Sequence, residues 1–395
     1  MININDIQRA GKVISAYIHK TPLIRSNALS ALTGADVYLK LENLQKTGAF
    51  KVRGAFNKMI HVPGRRVVAA SMGNHAQAVA FAAYQLGKKA TIVMPTTVSL
   101  VKEEATRGYH ADVILYGEGF KDALEHALQQ KDAAFIHAFD DDEVIAGQGT
   151  IALEILEELE NIDAVFVPVG GGGLVSGIAT AVKALSPKTG VIGVQAEAAP
   201  AAQLSYQGGK IIEQLPLPTI ADGIAVARLG EKTFELINNY VDEICLVSEG
   251  AIAKSILLFL ERKKLVVEGA GAVTLAALME NRTSFANQRV VLVLSGGNID
   301  FTIIDRIIRK GLVTSNRIGV FEVVLDDIAG SLHAVIDIIA SLRANVLDIL
   351  HDRLAPDLSI GKAKVVFTVE IRGKNHLAKI FDDLENKGYA VREKN

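Results

Sequence analysis

The sequence has little of the material that would tie it to a disulfide scaffold, a nucleic acid or a membrane surface. It contains one cysteine, Cys245, so an intramolecular disulfide and a metal cage of several cysteines are both excluded. Its 42 basic and 44 acidic side chains leave a formal charge of −2. Nucleic acids and anionic membranes attract proteins with a basic field, so we expect neither as a partner.

Long apolar runs and a targeting segment are also lacking. Glycine, polar and charged residues interrupt every apolar stretch before it reaches the about 18 residues that a membrane span needs. The first six residues have neither the basic start nor the apolar run of a signal peptide, and we expect a cytoplasmic protein. The chain is 49% hydrophobic and 22% charged, which is ample material for a globular core, and its length predicts two or three domains.

Short β-branched runs alternate with longer helical stretches between residues 60 and 300. The runs predict buried strands at 67–70, 90–94, 113–116, 164–169, 191–194 and 290–294, and the stretches predict helices at 75–86, 150–158, 174–184 and 251–263. This alternation indicates an open, wound α/β sheet. Such sheets bind ligands at the carboxyl ends of their strands, so candidate site residues are sought in the loops that follow them.

The order of predicted elements changes near the C-terminus. Predicted strands cover 321–325, 345–350, 364–371 and 389–391, and predicted helices cover 331–342 and 375–386. In the second helix, Leu377, Ile380 and Leu384 have the spacing of one buried face. The order β-α-β-β-α-β is that of the ferredoxin-like unit. We therefore predict two domains in series, residues 1–316 and 317–395.

The lysine of Gly-Ala-Phe-Lys-Val-Arg-Gly, residues 48–54, is not placed like a solvated surface lysine. Lys51 is flanked by small and apolar residues where a loop opens into a helical stretch. Partial burial lowers the pKa of a lysine and makes its neutral amine a nucleophile for carbonyl groups. On spacing alone, a lysine that merely begins a helix beside Arg53 remains the alternative.

Four consecutive glycines follow the strand predicted at 164–169 and open a helix. Gly170, Gly171, Gly172 and Gly173 allow backbone N–H groups to approach a ligand, and a helix N-terminus favours an anion. The segment lacks the spacing of a dinucleotide fingerprint and the Gly-Lys-Ser/Thr of a nucleotide P-loop. We expect a phosphate carried by a smaller molecule, and a merely tight strand–helix turn is the alternative.

Two further clusters follow predicted strands. Ser71-Met-Gly-Asn-His-Ala offers the amide of Asn74 at a helix start, and Ser295-Gly-Gly-Asn offers a hydroxyl that can bond a ring nitrogen. Each could equally be a helix cap or a turn. A nucleophilic lysine, a phosphate turn, an amide and a hydroxyl, all at strand ends of one sheet, form a coherent pyridoxal phosphate site.

These segments, in this order, resemble the threonine dehydratase (threonine ammonia-lyase) family, and Ala221-Asp-Gly-Ile and Val267-Glu-Gly-Ala-Gly-Ala match it too. The resemblance covers most of residues 1–312. It implies PLP fold type II, with two lobes of wound, mostly parallel sheets and a small lobe at roughly 50–146 inserted in the larger one. The C-terminal module resembles an ACT regulatory domain.

The resemblance also implies roles for individual residues. Lys51 would form the Schiff base with pyridoxal 5'-phosphate and act as the catalytic base. Other cofactor-binding residues would be Phe50, Asn74, Gly170, Gly171, Gly172, Gly173, Leu174 and Ser295. Substrate-binding residues would be Ser71, Gly73, His75, Gly223 and Glu268. In the ACT-like module, Gly330 and Asn345 would contact an amino-acid effector, unless the module is purely structural or dimerising. We expect no metal ion, because racemase-type relatives have carboxylates where this chain has Gln195 and Ala201.

The implied activity is β-elimination of L-threonine to 2-oxobutanoate and ammonia, with L-serine giving pyruvate as a further reaction. A dehydratase or racemase of another β-hydroxy amino acid is the alternative within the enzymes, but Met72 stands where serine racemase relatives have a proton-transferring serine. A non-catalytic amino-acid sensor is the alternative outside them. Exposed apolar strands in modules of the C-terminal type predict a homodimer or homotetramer.

Overall fold

The computed structural model describes residues 1–281 and 283–394. By its internal contacts the chain divides into two compact units, Met1–Asp300 and a second that begins at Phe301. The domain boundary predicted between residues 316 and 317 lies one helix further along the chain. In the described residues, no helix is both long and apolar enough to cross a membrane.

The structure contains two parallel or mostly parallel sheets and one antiparallel sheet. The strands are β1 (Leu23–Arg25), β2 (Asp36–Lys40), β3 (Arg66–Ala70), β4 (Lys89–Met94), β5 (Asp112–Leu115), β6 (Ala134–Phe135), β7 (Ala164–Pro168), β8 (Gly190–Ala196), β9 (Glu243–Val247), β10 (Arg289–Val293), β11 (Ile318–Asp326), β12 (Asn345–Asp352), β13 (Lys362–Glu370) and β14 (Ala390–Glu393). The six strands predicted before residue 300 and the four predicted after it are therefore confirmed, with small shifts at their ends.

Helices connect and cover these strands. The α-helices are α1 (Ile4–Ile14), α2 (Asn27–Thr33), α3 (Val52–His61), α4 (Asn74–Gln85), α5 (Leu100–Arg107), α6 (Phe120–Leu128), α7 (Asp142–Glu158), α8 (Gly173–Leu185), α9 (Ala201–Gly208), α10 (Glu231–Tyr240), α11 (Glu249–Leu258), α12 (Gly269–Glu280), α13 (Phe301–Thr314), α14 (Ser331–Ser341) and α15 (Lys374–Asn386). Short 3-10 helices cover Glu42–Leu44 and Asp222–Ile224, and a π-helix covers Phe259–Lys263.

The first unit is built on two sheets. The larger has the strand order β1-β2-β10-β7-β8-β9 and is parallel except for β1, and the smaller has the order β5-β4-β3-β6 and is parallel. The smaller sheet is inserted in the chain between β2 and β7. Strands such as β7 are buried along their whole length, because helices cover both faces of a wound sheet. The predicted α/β fold class is confirmed.

The second unit contains an antiparallel sheet with the strand order β12-β13-β11-β14. Buried and half-buried residues alternate along β11, so one face of the sheet packs on a core that includes Phe321, Val335, Phe367 and Ile380. Val335 lies on α14 and Ile380 on α15, which cover that face. The predicted β-α-β-β-α-β order is confirmed.

Helix α7 begins at Asp142 rather than at residue 150, where we predicted its start. The glycines in its first half lie at contacts that leave no room for a side chain. A Cβ on Gly147 would lie 2.6 Å from the carbonyl oxygen of Arg53, and one on Gly149 would lie 2.8 Å from that of Gly177. These glycines therefore bring α7 close to α3 and α8.

Candidate active site

Four of the candidate groups, namely Lys51, the glycine turn, Asn74 and Ser295, follow the carboxyl ends of four strands. The segment that carries Lys51 follows β2, the glycine turn follows β7 and Ser295 follows β10, and these three strands are neighbours in the larger sheet. Asn74 follows β3, which belongs to the smaller sheet. The prediction that all four groups sit on one sheet is wrong: the site is assembled from both sheets of the first unit.

Lys51 immediately precedes helix α3 and is half-buried. Its Nζ donates a hydrogen bond to the carbonyl oxygen of Ala138 at 2.9 Å and lies 5.2 Å from the ring centroid of Phe50. Burial lowers the pKa of Lys51 to about 8, and the negative charge of Glu268 partly opposes that change. About a tenth of the amine is therefore neutral and nucleophilic at pH 7, whereas a solvated lysine is almost fully protonated there.

The glycine turn packs so closely that side chains are excluded from it. A Cβ on Gly171 would lie 2.4 Å from the ring of Phe139, and one on Gly173 would lie 2.9 Å from the same residue. Gly172 has a φ of +95°, which L side chains rarely adopt, and its Cβ would lie 2.8 Å from Thr233. Because α8 begins at Gly173, its first N–H groups have no intrahelical partner and can bind an anion.

The turn is also held by residues of α10 and of the 3-10 helix Asp222–Ile224. The Thr233 hydroxyl donates to the carbonyl oxygen of Gly171 at 2.8 Å, and a Cβ on Gly170 would lie 3.2 Å from the Cα of Ile224. Leu174 is buried in the main core of the unit. These contacts fix the backbone of the turn, which suits the residues to hold a phosphate group in one position.

Asn74 connects two further loops of the site. Its Nδ2 donates to both carboxylate oxygens of Glu268, at 2.8 and 3.0 Å, and its Oδ1 accepts from Nδ2 of Asn298 at 2.9 Å. Asn298 Nδ2 also donates to the carbonyl oxygen of Thr47 at 2.7 Å. The loops after β2, β3 and β10 and the start of α12 are thereby linked through side-chain amides.

Glu268 is an ionisable group whose charge acts on Lys51. Burial raises its pKa to about 7, although the hydrogen bonds from Asn74 act in the opposite direction. A Cβ on Gly296 would lie 2.4 Å from Glu268 Oε1, and one on Gly223 would lie 3.5 Å from the same atom. Both glycines therefore leave space for this carboxyl group, and the structure brings Gly223 and Glu268 together.

The loop predicted to receive a substrate carboxylate is partly exposed. The backbone N–H of Gly73 donates to Ser71 Oγ at 3.2 Å, and a Cβ on Gly73 would meet open space. The ring of His75 is buried, and its Nε2 lies 2.9 Å from the carbonyl oxygen of Ile136. Burial, followed by the charge of Lys51, lowers the pKa of His75 to about 3. His75 is therefore neutral, and its ring is committed to the protein interior.

Ser295 is buried, and its backbone carbonyl accepts from the N–H of Phe50 at 3.0 Å, which ties the loop after β10 to the residue before Lys51.

In the second unit, Gly330 contributes to a cavity of about 400 Å³ lined by residues 325–332, His351 and Arg353. Asn345 pairs with Glu370, near the other end of the sheet. Within one chain the structure does not bring Gly330 and Asn345 together.

Several residues with structural roles in the site were not predicted from the sequence. Ala138 accepts from Lys51 through its backbone, and Phe139 fills the space beside the glycine turn. Asn298 lies in the Ser-Gly-Gly-Asn segment, but its two hydrogen bonds join loops distant in sequence. Among the described residues, no group of three or more His, Cys, Asp or Glu side chains is placed to hold a metal ion.

Comparisons with known proteins agree with this geometry. Residues 14–296 match the family model described as pyridoxal-phosphate dependent enzyme. The chain is 48% identical to an L-threonine ammonia-lyase from Thermotoga maritima, over 99% of each chain. The solved structure of the processed form of threonine deaminase isoform 2 from Solanum lycopersicum is 38% identical, with a TM-score of 0.74, over 78% of this chain and 86% of that one.

A solved serine racemase from maize is also similar, at 33% identity and a TM-score of 0.74, over 80% of this chain and 99% of that one. The half-buried amine, the closely packed glycine turn and the buried hydroxyl all fit a phosphorylated aldehyde cofactor. The fold, the site and the family match lead to one conclusion. The chain belongs to the pyridoxal-phosphate dependent enzymes, and pyridoxal phosphate is its cofactor.

Proposed function

We propose that the chain is a threonine ammonia-lyase, which converts L-threonine to 2-oxobutanoate and ammonia and also converts L-serine to pyruvate and ammonia. The reaction loses one water and regains one, so its net products are the oxo acid and ammonia. The observation that carries the proposal is the full-length likeness to an L-threonine ammonia-lyase in a chain that has a nucleophilic lysine at the site.

Pyridoxal phosphate, when bound, supplies an aldehyde that links to amines and a conjugated ring that withdraws electrons from the amine-bearing carbon. The protein supplies the remaining parts. Lys51 holds the cofactor through Nζ, and the same nitrogen, once free and neutral, accepts the α-proton of the substrate. The glycine turn binds the phosphate through backbone N–H groups. Asn74 and Phe50 would line the space for the ring, and the Ser295 hydroxyl would be the group that bonds the ring nitrogen.

Substrate orientation comes from the loop after β3 and from its neighbours. Ser71, Gly73 and the backbone of His75 would receive the carboxylate of the amino acid, since this loop opens to solvent at a helix N-terminus. Gly223 and Glu268 would line the opposite side. A methyl group separates threonine from serine and is worth only about 1–3 kcal/mol in an apolar pocket, so we expect both substrates to react.

Racemisation is the alternative reaction, and Met72 argues against it. This residue is 38% exposed on the loop after β3, at the position where serine racemase relatives have a serine. A thioether cannot donate or accept a proton, whereas racemisation needs a second acid or base opposite Lys51. Elimination needs only the lysine. Formation of D-serine from L-serine at a rate comparable to that of pyruvate would support the racemase instead.

The second unit supports a regulatory role as an ACT-like module. Its cavity beside Gly330 is lined by Asp327 and Arg353, which form an ion pair with each other at 2.9 Å. Opening that pair would free one group for the amine and one for the carboxylate of an amino-acid effector. Strand β12 exposes Leu347 and Leu350, which supports a homodimer or homotetramer through this module. We place the enzyme in the cytoplasm.

One experiment tests the activity and its regulation. Oxo-acid formation is measured on L-threonine, L-serine and other β-hydroxy amino acids, with and without branched-chain amino acids. The proposal predicts 2-oxobutanoate and ammonia in equal amounts from L-threonine. A purified protein that binds pyridoxal phosphate but releases no oxo acid from any member of the panel would contradict it. That result would favour the amino-acid sensor.

A further inference from the structure

Four charged side chains form a buried cluster beneath the helix that follows Lys51. Its members are Lys40 on β2, Glu42 just after that strand, Arg53 on α3 and Glu154 on α7. Lys40, Glu42 and Arg53 have side chains with 0% exposure, and Glu154 has 13%. Two positive and two negative charges are thus enclosed together, none of which the reaction uses directly.

Arg53 uses every donor of its guanidinium in this cluster. Nε and Nη2 donate to the two oxygens of Glu42, each at 2.8 Å, and Nη1 and Nη2 donate to the two oxygens of Glu154, at 2.6 and 2.9 Å. Nη1 also donates to the Thr150 hydroxyl at 3.1 Å. Only a planar group with five N–H donors can bind two carboxylates in this bidentate way, so lysine is no equivalent.

The pair between Arg53 and Glu42 joins the two ends of the segment that carries the reactive amine. Glu42 lies at the beginning of that segment, Lys51 lies near its end, and Arg53 follows two residues later. The backbone N–H of Arg53 also donates to the carbonyl oxygen of Phe50 at 3.0 Å. The guanidinium therefore holds the turn around Lys51 against both β2 and α7.

Stability alone is a poor explanation for such a cluster. Buried ion pairs lose much of their attraction to the cost of removing charges from water, and apolar residues of similar size often stabilise a core as well. Burial alone would raise the pKa of Glu42, but the charge and hydrogen bonds of Arg53 hold it below its usual range. What apolar residues cannot reproduce is the fixed orientation that two bidentate pairs impose.

We propose that Arg53 and Glu42 are positioning residues for Lys51, and that their bidentate pair sets where the lysine amine points within the site. The inference rests on the proposed function only in taking Lys51 as the reactive amine. Lys40 provides a matched control within the same cluster. Its Nζ donates to Glu154 at 2.5 Å and to the Thr21 carbonyl oxygen at 2.6 Å, but it does not join the ends of the segment.

The test compares Arg53→Lys and the charge-balanced double variant Glu42→Gln/Lys40→Met with the control Lys40→Met. Five quantities are measured on each full-length holoenzyme: kcat and KM for L-threonine, the Kd for pyridoxal phosphate, the pH midpoint of the bound cofactor's visible absorption, and Tm. We expect about a 100-fold loss of kcat in Arg53→Lys and in the double variant, because a misplaced reacting group costs about that much. Their pH midpoint should shift as well, since it reports the surroundings of the lysine nitrogen.

The control should lower Tm without moving the pH midpoint and should keep kcat within about twofold of the parent. Wild-type kcat and pH midpoint in the double variant would overturn the proposal, as would an equal loss of kcat in Lys40→Met. If Arg53→Lys and the double variant both fail to fold while the control folds, the cluster is a stability element and the proposal is wrong. If the parent protein binds the cofactor but leaves threonine unchanged, only the proposed substrate is contradicted. The pH midpoint and the Kd for pyridoxal phosphate would still test the positioning role of Arg53 and Glu42.

Discussion

Replacing Glu268 with glutamine should make the cofactor-free protein more stable at neutral pH. Glu268 is 4% exposed, and burial raises the pKa of its carboxyl group from the usual 4.5 to about 7. Glutamine has nearly the same shape as the protonated carboxyl group and carries no charge. The variant therefore removes the cost of ionising this group inside the protein, while it leaves a carbonyl oxygen for Asn74 Nδ2 to contact.

The size and sign of the effect follow from the two pKa values. Below pH 4.5 the carboxyl group is protonated in both the folded and the unfolded chain, so wild type and variant should have similar stability. Between pH 4.5 and 7 the unfolded chain loses this proton first, and the wild-type free energy of unfolding falls relative to that of the variant. Above pH 7 the difference should level off at about 3 kcal/mol, since one pKa unit is worth about 1.4 kcal/mol.

The assay is urea unfolding of both cofactor-free proteins at a series of pH values from 4 to 8. The unfolding of the first unit is monitored spectroscopically, separately from that of the second unit. The difference in the free energy of unfolding should rise with pH and reach its plateau near pH 7. Two curves that stay parallel across this range would refute the reasoning, because they would show that Glu268 titrates alike in the folded and the unfolded chain.

Two further substitutions test the cofactor site. Gly171→Ala should weaken binding of pyridoxal phosphate, because its Cβ would lie 2.4 Å from the ring of Phe139 and overpacking costs about 1–3 kcal/mol. Equilibrium titration of the cofactor-free protein measures the Kd for pyridoxal phosphate. Gly250→Ala on α11, where a Cβ meets open space, is the control. An unchanged Kd in Gly171→Ala would contradict the packing described for the turn. Ser295→Asp should change the ratio of oxo-acid formation to side reactions, because a carboxylate would hold the ring nitrogen protonated where a hydroxyl does not. Unchanged kinetics would show that Ser295 does not face the ring.

Much of the fold could be predicted from local patterns. The parallel strands of the wound sheets are nearly continuous apolar runs rich in Val, so the predicted ends of β3, β7 and β10 agree with the structure within a residue or two. Local patterns failed where packing decides the structure. The first half of α7 was not predicted as helix, because Gly147 and Gly149 lower its helix propensity. The structure requires these glycines where α7 closely approaches α3 and α8.

The candidate site shows the same division. Lys51, the glycine turn, Asn74 and Ser295 stand in motifs that could be read without coordinates. Their assignment to one sheet was wrong, because sequence order does not tell which sheet a strand such as β3 joins. The bond between Asn74 and Glu268 joins residues far apart in sequence, and no spacing rule predicts it. The same holds for the contacts of Arg53 with Glu42 and Glu154.

The central claim is that the amine of Lys51 is covalently linked to pyridoxal phosphate in the resting enzyme. Reduction of the purified holoenzyme with borohydride, followed by peptide mass spectrometry, tests it most directly. The account predicts a single pyridoxyl-modified lysine at position 51, with loss of the visible absorption band and of activity. A modification at another lysine, or a colourless protein whose Lys51→Ala variant forms oxo acid as fast as the parent, would contradict it.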